Sequence, residues 1–342
     1  MSTDSHTVND YVDSLPLLLT ELEVAHVERL SPAFVRVELA GEALAELGVD
    51  GPLLDQRFKI IFPNAAGRLP SFANATEDWW STWMAIPEEE RGAMRTYTIG
   101  DVTGSGASTR LVVDIVVHED DTDDTDAADG GAGGAMAGVG NRWALAAEPG
   151  QRLVVIAPRR GHEFGGIEWA PGAASRLLLV GDETAVPAVR GVLRGLPDDA
   201  IGAVYLEVPD AADVLDDVAA PPGVEVTWLP RNGRGRGVDL HAAVLAHLAG
   251  GGSTAGGPAE IAEDEIDPDL WETPVYSSSG EEVASAAAAP VGVGAHAGLY
   301  AWIAGESKVV TGLRRALVRD LGLDRSQVAF MGYWREGVAM RS

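Results

Sequence analysis

Arg95, Thr96, Tyr97 and Thr98 stand together in a strand-like stretch. Residues two apart on a strand share a face. That face pairs a guanidinium, which suits a phosphate, with a flat phenol ring, which suits a planar cofactor. Thr98 adds a hydroxyl and a backbone N–H. The same four residues also make an ordinary strand with a paired Arg and a half-buried Tyr, so the pattern gains meaning only from its company.

Further stretches supply that company. Asp114 and His118 close another apolar strand. His118 is either a metal ligand or a hydrogen-bonding group near a cofactor or in the core. No second His stands at ligand spacing and the chain has no Cys, which favours the hydrogen-bonding role. Gly138-Val139-Gly140-Asn141-Arg142-Trp143-Ala144 places small residues ahead of a helix, where exposed N–H groups bind a pyrophosphate and Arg142 can assist. Its alternative is a plain helix start capped by Asn141. Gly181-Asp182-Glu183-Thr184-Ala185 follows a buried strand and precedes a helix. Open sheets bind nucleotides at such a first crossover. The stretch is not Gly-x-Gly-x-x-Gly, and its two carboxylates repel phosphate, so they cap the helix or hold hydroxyl and amide groups. Trp302-Ile303-Ala304-Gly305-Glu306 and Gly332-Tyr333-Trp334-Arg335-Glu336 each end a strand and should share the edge of Asp182. Their aromatics either wall a ring cofactor or pack.

The elements that must position these residues change character along the chain. Residues 1–20 read as a lead-in helix or arm. Six strands with turn residues between them follow, at Glu23–Leu30, Val35–Leu39, Phe58–Phe62, Met94–Ile99, Leu111–Val117 and Arg152–Ala157. That spacing predicts an antiparallel six-stranded barrel. After Gly172, buried-type strands at Arg176–Val180, Val204–Val208, Val224–Trp228, Leu299–Ala304 and Val328–Gly332 alternate with helices. One helix runs to Arg194, one is capped by Asp239 and ended by Gly250, and one spans Ser307–Leu321. Alternation of this kind implies a parallel α/β sheet. The predicted division is 20–170 and 171–342. Two insertions, 119–137 and 249–298, read as mobile polymer outside the scheme.

A chain of 342 residues with 46% apolar content fills two such cores. The absence of Cys excludes disulfides, thiolate metal sites, a Cys nucleophile and protein-ligated iron–sulfur clusters. No apolar run is long enough for a membrane helix, and the acidic start shows no secretory pattern. The expectation is a cytoplasmic protein without membrane insertion. A formal charge of −27 argues against nucleic acid. The two insertions hold seven and nine acids with no Lys or Arg, more than half of that net charge.

Taken in order, these motifs resemble the siderophore-interacting protein family, the FAD-containing ferric-siderophore reductases. The carriers are R-T-Y-T at 95–98, D-I-V-V-H at 114–118, G-V-G-N-R-W-A at 138–144, G-D-E-T-A-V-P-A at 181–188, W-I-A-G-E at 302–306 and G-Y-W-R-E-G at 332–337. The likeness covers about residues 23–337 outside the insertions. It implies a flavin-binding β-barrel followed by a ferredoxin-reductase-like nicotinamide domain. By the same resemblance, Arg95, Tyr97 and Thr98 hold FAD, His118 lies by the flavin, and Gly140, Asn141 and Trp143 fall at the pyrophosphate. Asp182, Thr184, Ala185, Gly305 and Glu306 shape the cofactor cleft, and Tyr333, Trp334 and Arg335 close it.

Departures from the family pattern are Gly100 in place of a second Arg, Glu119 in place of Gly, and Val139-Gly140-Asn141 in place of Pro-Ala-Ser. A lost phosphate contact costs about 1.5–3 kcal/mol, and Arg110 or Arg142 could compensate. The activity implied is reduction of Fe³⁺ in a bound siderophore by NAD(P)H through FAD, in a monomer. Anionic siderophores need a cation near the flavin: Lys59, set among apolar strand residues, leads, with Lys308, Arg57 and Arg335 behind it. Lys59 is equally placed as a solvent-facing edge lysine, and Lys308 as a contact to a cofactor phosphate. Glu207, ending the second α/β strand, would favour NADH, and Arg231, after the third, a 2′-phosphate; the resemblance points to NADPH. The fold alone would also serve a general NAD(P)H–flavin reductase with another acceptor, or a binding protein that has lost FAD.

Overall fold

The computed structural model describes residues 15–72, 75, 78–117, 138–250, 271–272 and 296–336. His118 and most of both insertions lie outside the described residues. The strands are β1 (Leu17–Ser31), β2 (Phe34–Ala40), β3 (Arg57–Phe62), β4 (Ala93–Thr98), β5 (Asp101–Thr103), β6 (Arg110–Val116), β7 (Arg152–Pro158), β8 (Arg176–Gly181), β9 (Gly202–Val208), β10 (Val224–Pro230), β11 (Trp271–Glu272), β12 (Leu299–Glu306) and β13 (Val328–Trp334). The α-helices are α1 (Trp79–Ala85), α2 (Glu88–Arg91), α3 (Val139–Leu145), α4 (Val186–Gly195), α5 (Val238–Leu248) and α6 (Ser307–Arg314).

The first seven strands form one curled antiparallel sheet in the order β4-β3-β7-β1-β2-β6-β5. Alternation builds its inner face: Val37 and Leu39 of β2, Phe58 and Ile60 of β3, and Leu111 and Val113 of β6 are fully buried together. The architecture is the expected one, with two corrections at its ends. Of the expected lead-in helix or arm, residues 1–14 lie outside the described residues, and its end is the start of β1, where Leu17–Leu22 pair with Pro158–Leu153 of β7. The Leu run is apolar on both faces because both are covered. Leu18 and Leu22 enter the barrel core, while Leu15 and Leu19 pack outside under Phe72 and Trp83. A short apolar run of this kind has no periodicity to separate strand from helix. The short β5 adds a seventh strand that no apolar pattern announces.

The second sheet runs β10-β9-β8-β12-β13-β11. Its first five strands are parallel, and β8 has β9 on one side and β12 on the other. Both faces are covered, so β12 is buried at all eight positions. Leu178, Val180, Ile303 and Phe330 meet α5 and α6, whereas Leu179, Trp302 and Met331 meet α4. Burial on both faces is why these strands read as unbroken apolar runs. β11 pairs antiparallel with β13, so part of the 249–298 stretch belongs to the sheet and not to a free insertion. Helix α5 is capped by Gly237 in a left-handed conformation and not by Asp239, whose carboxylate pairs with Arg234. The last helix turns to π geometry over Arg315–Asp320.

The sheets meet closely. Phe34 of β2 packs into the cluster of α4 and the parallel sheet. Buried Asp213, beyond β9, accepts hydrogen bonds from Ser31 Oγ and Ala33 N, both at 2.7 Å.

Candidate active site

The β3–β4 ladder decides which side chains share a face. Ile60 pairs with Arg95 and Phe58 with Tyr97, so Arg95 and Tyr97 lie on the barrel-core side. Tyr97 meets Phe62 edge-on at 6.2 Å between centroids, and Phe62 meets Trp143 of α3 at 5.3 Å. A Cβ on Gly140 would come within 2.2 Å of the Tyr97 hydroxyl oxygen, so glycine lets α3 close over that ring. Burial pushes the Tyr97 phenol up and the Arg95 guanidinium down, and each acts on the other. A cation held where desolvation outweighs its partners is one that an anion would relieve. Gly138, not Asn141, is the N-cap of α3, and Asn141 is buried within the helix. A ring platform beside a desolvated guanidinium fits a flavin nucleotide.

The opposite face of the same ladder carries a second set. Lys59 pairs with Thr96, and its Nζ donates to Thr96 Oγ1 at 3.2 Å. Among the described residues Lys59 has no carboxylate partner within ion-pair range. Burial, with Arg57 nearby, lowers its pKa. Arg57 sits across from Thr98 and pairs with Glu168 at 2.5 Å. Lys308 is elsewhere, exposed in the first turn of α6.

At the carboxyl edge of the parallel sheet, Asp182 is a hub. Its Oδ1 accepts from Thr184 N at 2.9 Å and Thr184 Oγ1 at 2.5 Å. Its Oδ2 accepts from Glu306 N at 2.7 Å and Trp334 Nε1 at 2.8 Å. Burial, then neighbouring Glu183, raises its pKa to about 6. Gly305, at φ 147°, passes so near that a Cβ would lie 2.7 Å from Asp182 Oδ2. Glu306 caps α6 through Val309 N at 3.0 Å, and Ser307 Oγ donates to Trp334 O at 2.9 Å. Asp182 and Glu306 therefore set the shape of this edge while their oxygens face protein donors. Ala185 is fully buried beneath it.

The two side chains that sequence offered for nucleotide choice hold each other. Arg231 Nη1 lies 2.7 Å from Glu183 Oε2 and 3.2 Å from Glu207 Oε1, and Nη2 lies 3.1 Å from Glu183 Oε1. Gly237 N donates to both Glu207 oxygens at 3.0 Å. Neither Glu207 nor Arg231 is presented to a ribose. Sequence reasoning passed over Arg236, which pairs with Glu183 at 2.9 Å and lies 4.6 Å over the Trp334 ring. Three arginines in the six residues after a parallel strand were the available signal.

The barrel ladder and the sheet edge are joined through Asp55, also passed over. It accepts from Glu168 N at 3.1 Å, Trp169 N at 3.2 Å and Trp302 Nε1 at 3.1 Å. Trp302 meets Tyr333 edge-on at 6.3 Å. Burial raises the Tyr333 phenol, which also feels Asp55, Arg57, Glu168 and Asp182. Asp55 thus ties the segment before β3 to Trp302 of β12, against which Tyr333 of β13 packs. On another part of the seam, Arg36 and Arg190 share buried Asp114, and Arg194 bonds the Gly100 carbonyl. A cavity of about 320 Å³ opens there, lined by Arg36, Asp101, Arg190, Arg194 and others, none belonging to the motifs described above.

The family model described as the siderophore-interacting FAD-binding domain matches residues 23–162, and the siderophore-interacting protein model matches 174–337. An uncharacterized protein of Mycobacterium tuberculosis is 32% identical over 225 residues, 63% of this chain and 66% of that one. The chain thus matches about two thirds of the length of that relative. The ferric vibriobactin reductase ViuB of Vibrio cholerae is 26% identical over 92% of this chain and 89% of its own. A crystal structure of a siderophore utilization protein from T. fusca is similar with a TM-score of 0.59 at 27% identity, covering 95% of this chain and 96% of that one. No helix among the described residues is long and apolar enough to cross a membrane.

Proposed function

This chain belongs to the siderophore-interacting protein family, and we propose that it is an FAD-containing, NAD(P)H-dependent ferric-siderophore reductase. The observation that carries this reading is the Arg95–Tyr97 face, where a desolvated guanidinium lies beside an aromatic platform that α3 approaches through Gly140. FAD, when bound, would supply the redox chemistry that links hydride from NAD(P)H to ferric iron, which is the substrate's cargo.

The protein's own residues bind, orient and exclude. Residues 20–170 are read as the FAD-binding half and 171–342 as the nicotinamide half. Arg95 would pair with an FAD phosphate, Tyr97 would flank the ring, and Thr98 would offer its hydroxyl. Gly140, Asn141 and Trp143 would support the pyrophosphate side, with His118 by the ring. The edge built by Asp182, Thr184, Ala185, Gly305 and Glu306 would receive the co-substrate, and Tyr333, Trp334 and Arg335 would shut out water. Lys59 would attract an anionic ferric complex, since a desolvated ammonium with no carboxylate partner among the described residues gains most from an incoming anion. Lys308 is a second candidate on the sheet side. Ferrous iron is held more weakly by hard oxygen ligands, so reduction releases it. The protein is read as a cytoplasmic monomer.

The test uses purified protein incubated with FAD. It should show flavin absorbance that NADPH or NADH bleaches without oxygen. A ferric siderophore should then restore the colour, while a ferrous chelator gains its own. Protein that cannot be loaded with FAD, or whose bleached flavin is not restored by any ferric siderophore, would refute the reading.

A further inference from the structure

We infer that Arg236 takes the pyrophosphate of the nicotinamide co-substrate, held in position by Glu183 and Trp334; this rests on the reductase reading above. Ligands of open parallel sheets bind outside the strand carboxyl ends where strand order reverses. Here that point lies between β8 and β12, where Gly181 pairs with Ala304. No glycine-rich phosphate loop stands there, and Asp182, Glu183 and Glu306 crowd it with carboxylates. A dinucleotide needs a cation to enter.

The structure neutralises the crowding and leaves one guanidinium forward. Asp182 and Glu306 face N–H donors of the protein. Glu183 is fully buried between Arg231 and Arg236. Glu183, Glu207, Arg231 and Arg236 together carry no net charge. Arg231 is turned inward, with its side chain 9% exposed. The Arg236 side chain is 25% exposed and reaches from the β10–α5 loop over the ends of β8 and β13. Its guanidinium is anchored at one nitrogen by Glu183 at 2.9 Å and lies over the Trp334 ring, 4.6 Å from the centroid. Trp334 is itself fixed by Asp182. The contact from Arg236 Nε to the exposed Glu336 is long, at 3.8 Å, and an incoming phosphate can replace it. A fixed planar fork suits a diphosphate, and fixing it beforehand lowers the cost of binding. Arg234 differs, since it lies in solvent and is spent on Asp239 at 2.7 Å.

The pyrophosphate is common to both nicotinamide nucleotides, which sets the test. NADP+, NAD+ and ADP-ribose are titrated calorimetrically into FAD-loaded full-length protein and its Arg236→Ala variant. The expected result is a Kd raised about ten- to hundredfold for all three ligands alike. Arg236→Lys should recover part of the loss by keeping the charge without the fork. Arg236→Gln, which keeps most of the side chain over Trp334, should lose as much as Ala, and it serves as second variant if Ala lowers the melting temperature.

An unchanged Kd in both Ala and Gln variants would overturn the inference while leaving the reductase reading standing. So would a loss confined to NADP+, which would move Arg236 to the 2′-phosphate. Wild-type protein that binds none of the three refutes the inference and the NAD(P)H part of the reading together. Dinucleotide binding lost in the Arg236 variants, while FAD-loaded wild-type protein binds the dinucleotide yet reduces no ferric complex, would support the inference and refute the reading.

Discussion

Trp334 Nε1 donates to Asp182 Oδ2 at 2.8 Å, tying the last parallel strand to the turn after the first. The carboxylate pays for its burial: its pKa is about 6, against about 3.9 in an unfolded chain. Between those values the folded protein holds a proton that the unfolded chain has released. Stability from this group is therefore present below pH 4 and is lost as pH rises through about 6, by roughly 2–3 kcal/mol. Urea unfolding from pH 4 to 7 should show that component, and Asp182→Asn should remove it. The Trp334 indole N–H resonance should titrate near pH 6 in wild-type protein. A resonance flat across that range would separate Trp334 from the titrating carboxylate.

Gly140 and Tyr97 should behave as one unit. The Cβ of Gly140→Ala would sit 2.2 Å from the Tyr97 hydroxyl oxygen but 3.6 Å from the ring carbon that bears it. Gly140→Ala should therefore displace the ring and reduce FAD retention about tenfold or more, a cost typical of overpacking. In a Tyr97→Phe background the same substitution should cost much less. Tyr97→Ala should also weaken retention. Additive losses in the double variant, measured by flavin release on dilution, would show that the two positions do not meet.

Lys59 is tested by charge reversal. Lys59→Glu should raise KM for an anionic ferric catecholate about tenfold, with kcat and flavin content little changed, because the lost interaction is long-range attraction. A neutral ferric hydroxamate should show a smaller effect. Equal effects on both complexes would assign Lys59 a structural role, and an unaltered KM would place the substrate elsewhere.

How far sequence reached follows from the range of each interaction. The shared face of Arg95 and Tyr97 was legible because strand period alone sets it. The common edge of Asp182, Glu306 and Trp334 was legible from parallel strands ending in polar residues, but their mutual hydrogen bonds were not. Those depend on register between segments more than 120 residues apart. Glu207 and Arg231 each read as a nucleotide contact in isolation. Only adjacent parallel strands, with Glu207 beside Leu229, reveal them as each other's partner. Asp239 looked like a cap by residue type, yet left-handed Gly237 took that place and freed the carboxylate for Arg234. The Leu17–Leu22 strand was hidden because covering segments from far along the chain bury both its faces.

Gly100 lies at the seam between the barrel sheet and α4. By resemblance an Arg belongs there, and its loss suggested weaker FAD. A Cβ at position 100 would lie 3.2 Å from Val112 O and 3.8 Å from Asp114 Cγ. A side chain there would start toward Asp114, which Arg36 already grips at 2.7 and 2.8 Å and Arg190 at 3.2 Å. The Gly100 carbonyl in turn receives Arg194. Arg190 of α4 thus reaches across the seam to the carboxylate toward which a side chain at position 100 would start. Gly100→Arg should compete with Arg190 and leave the FAD Kd within about threefold, since no phosphate contact is restored. Arg190→Ala should destabilise the protein, toward about 3 kcal/mol for a broken buried pair, and Gly100→Arg should recover part of that loss. Flavin titration and urea unfolding read the two effects separately. A tenfold gain in FAD affinity from Gly100→Arg, with no rescue of Arg190→Ala, would place position 100 at the phosphate after all.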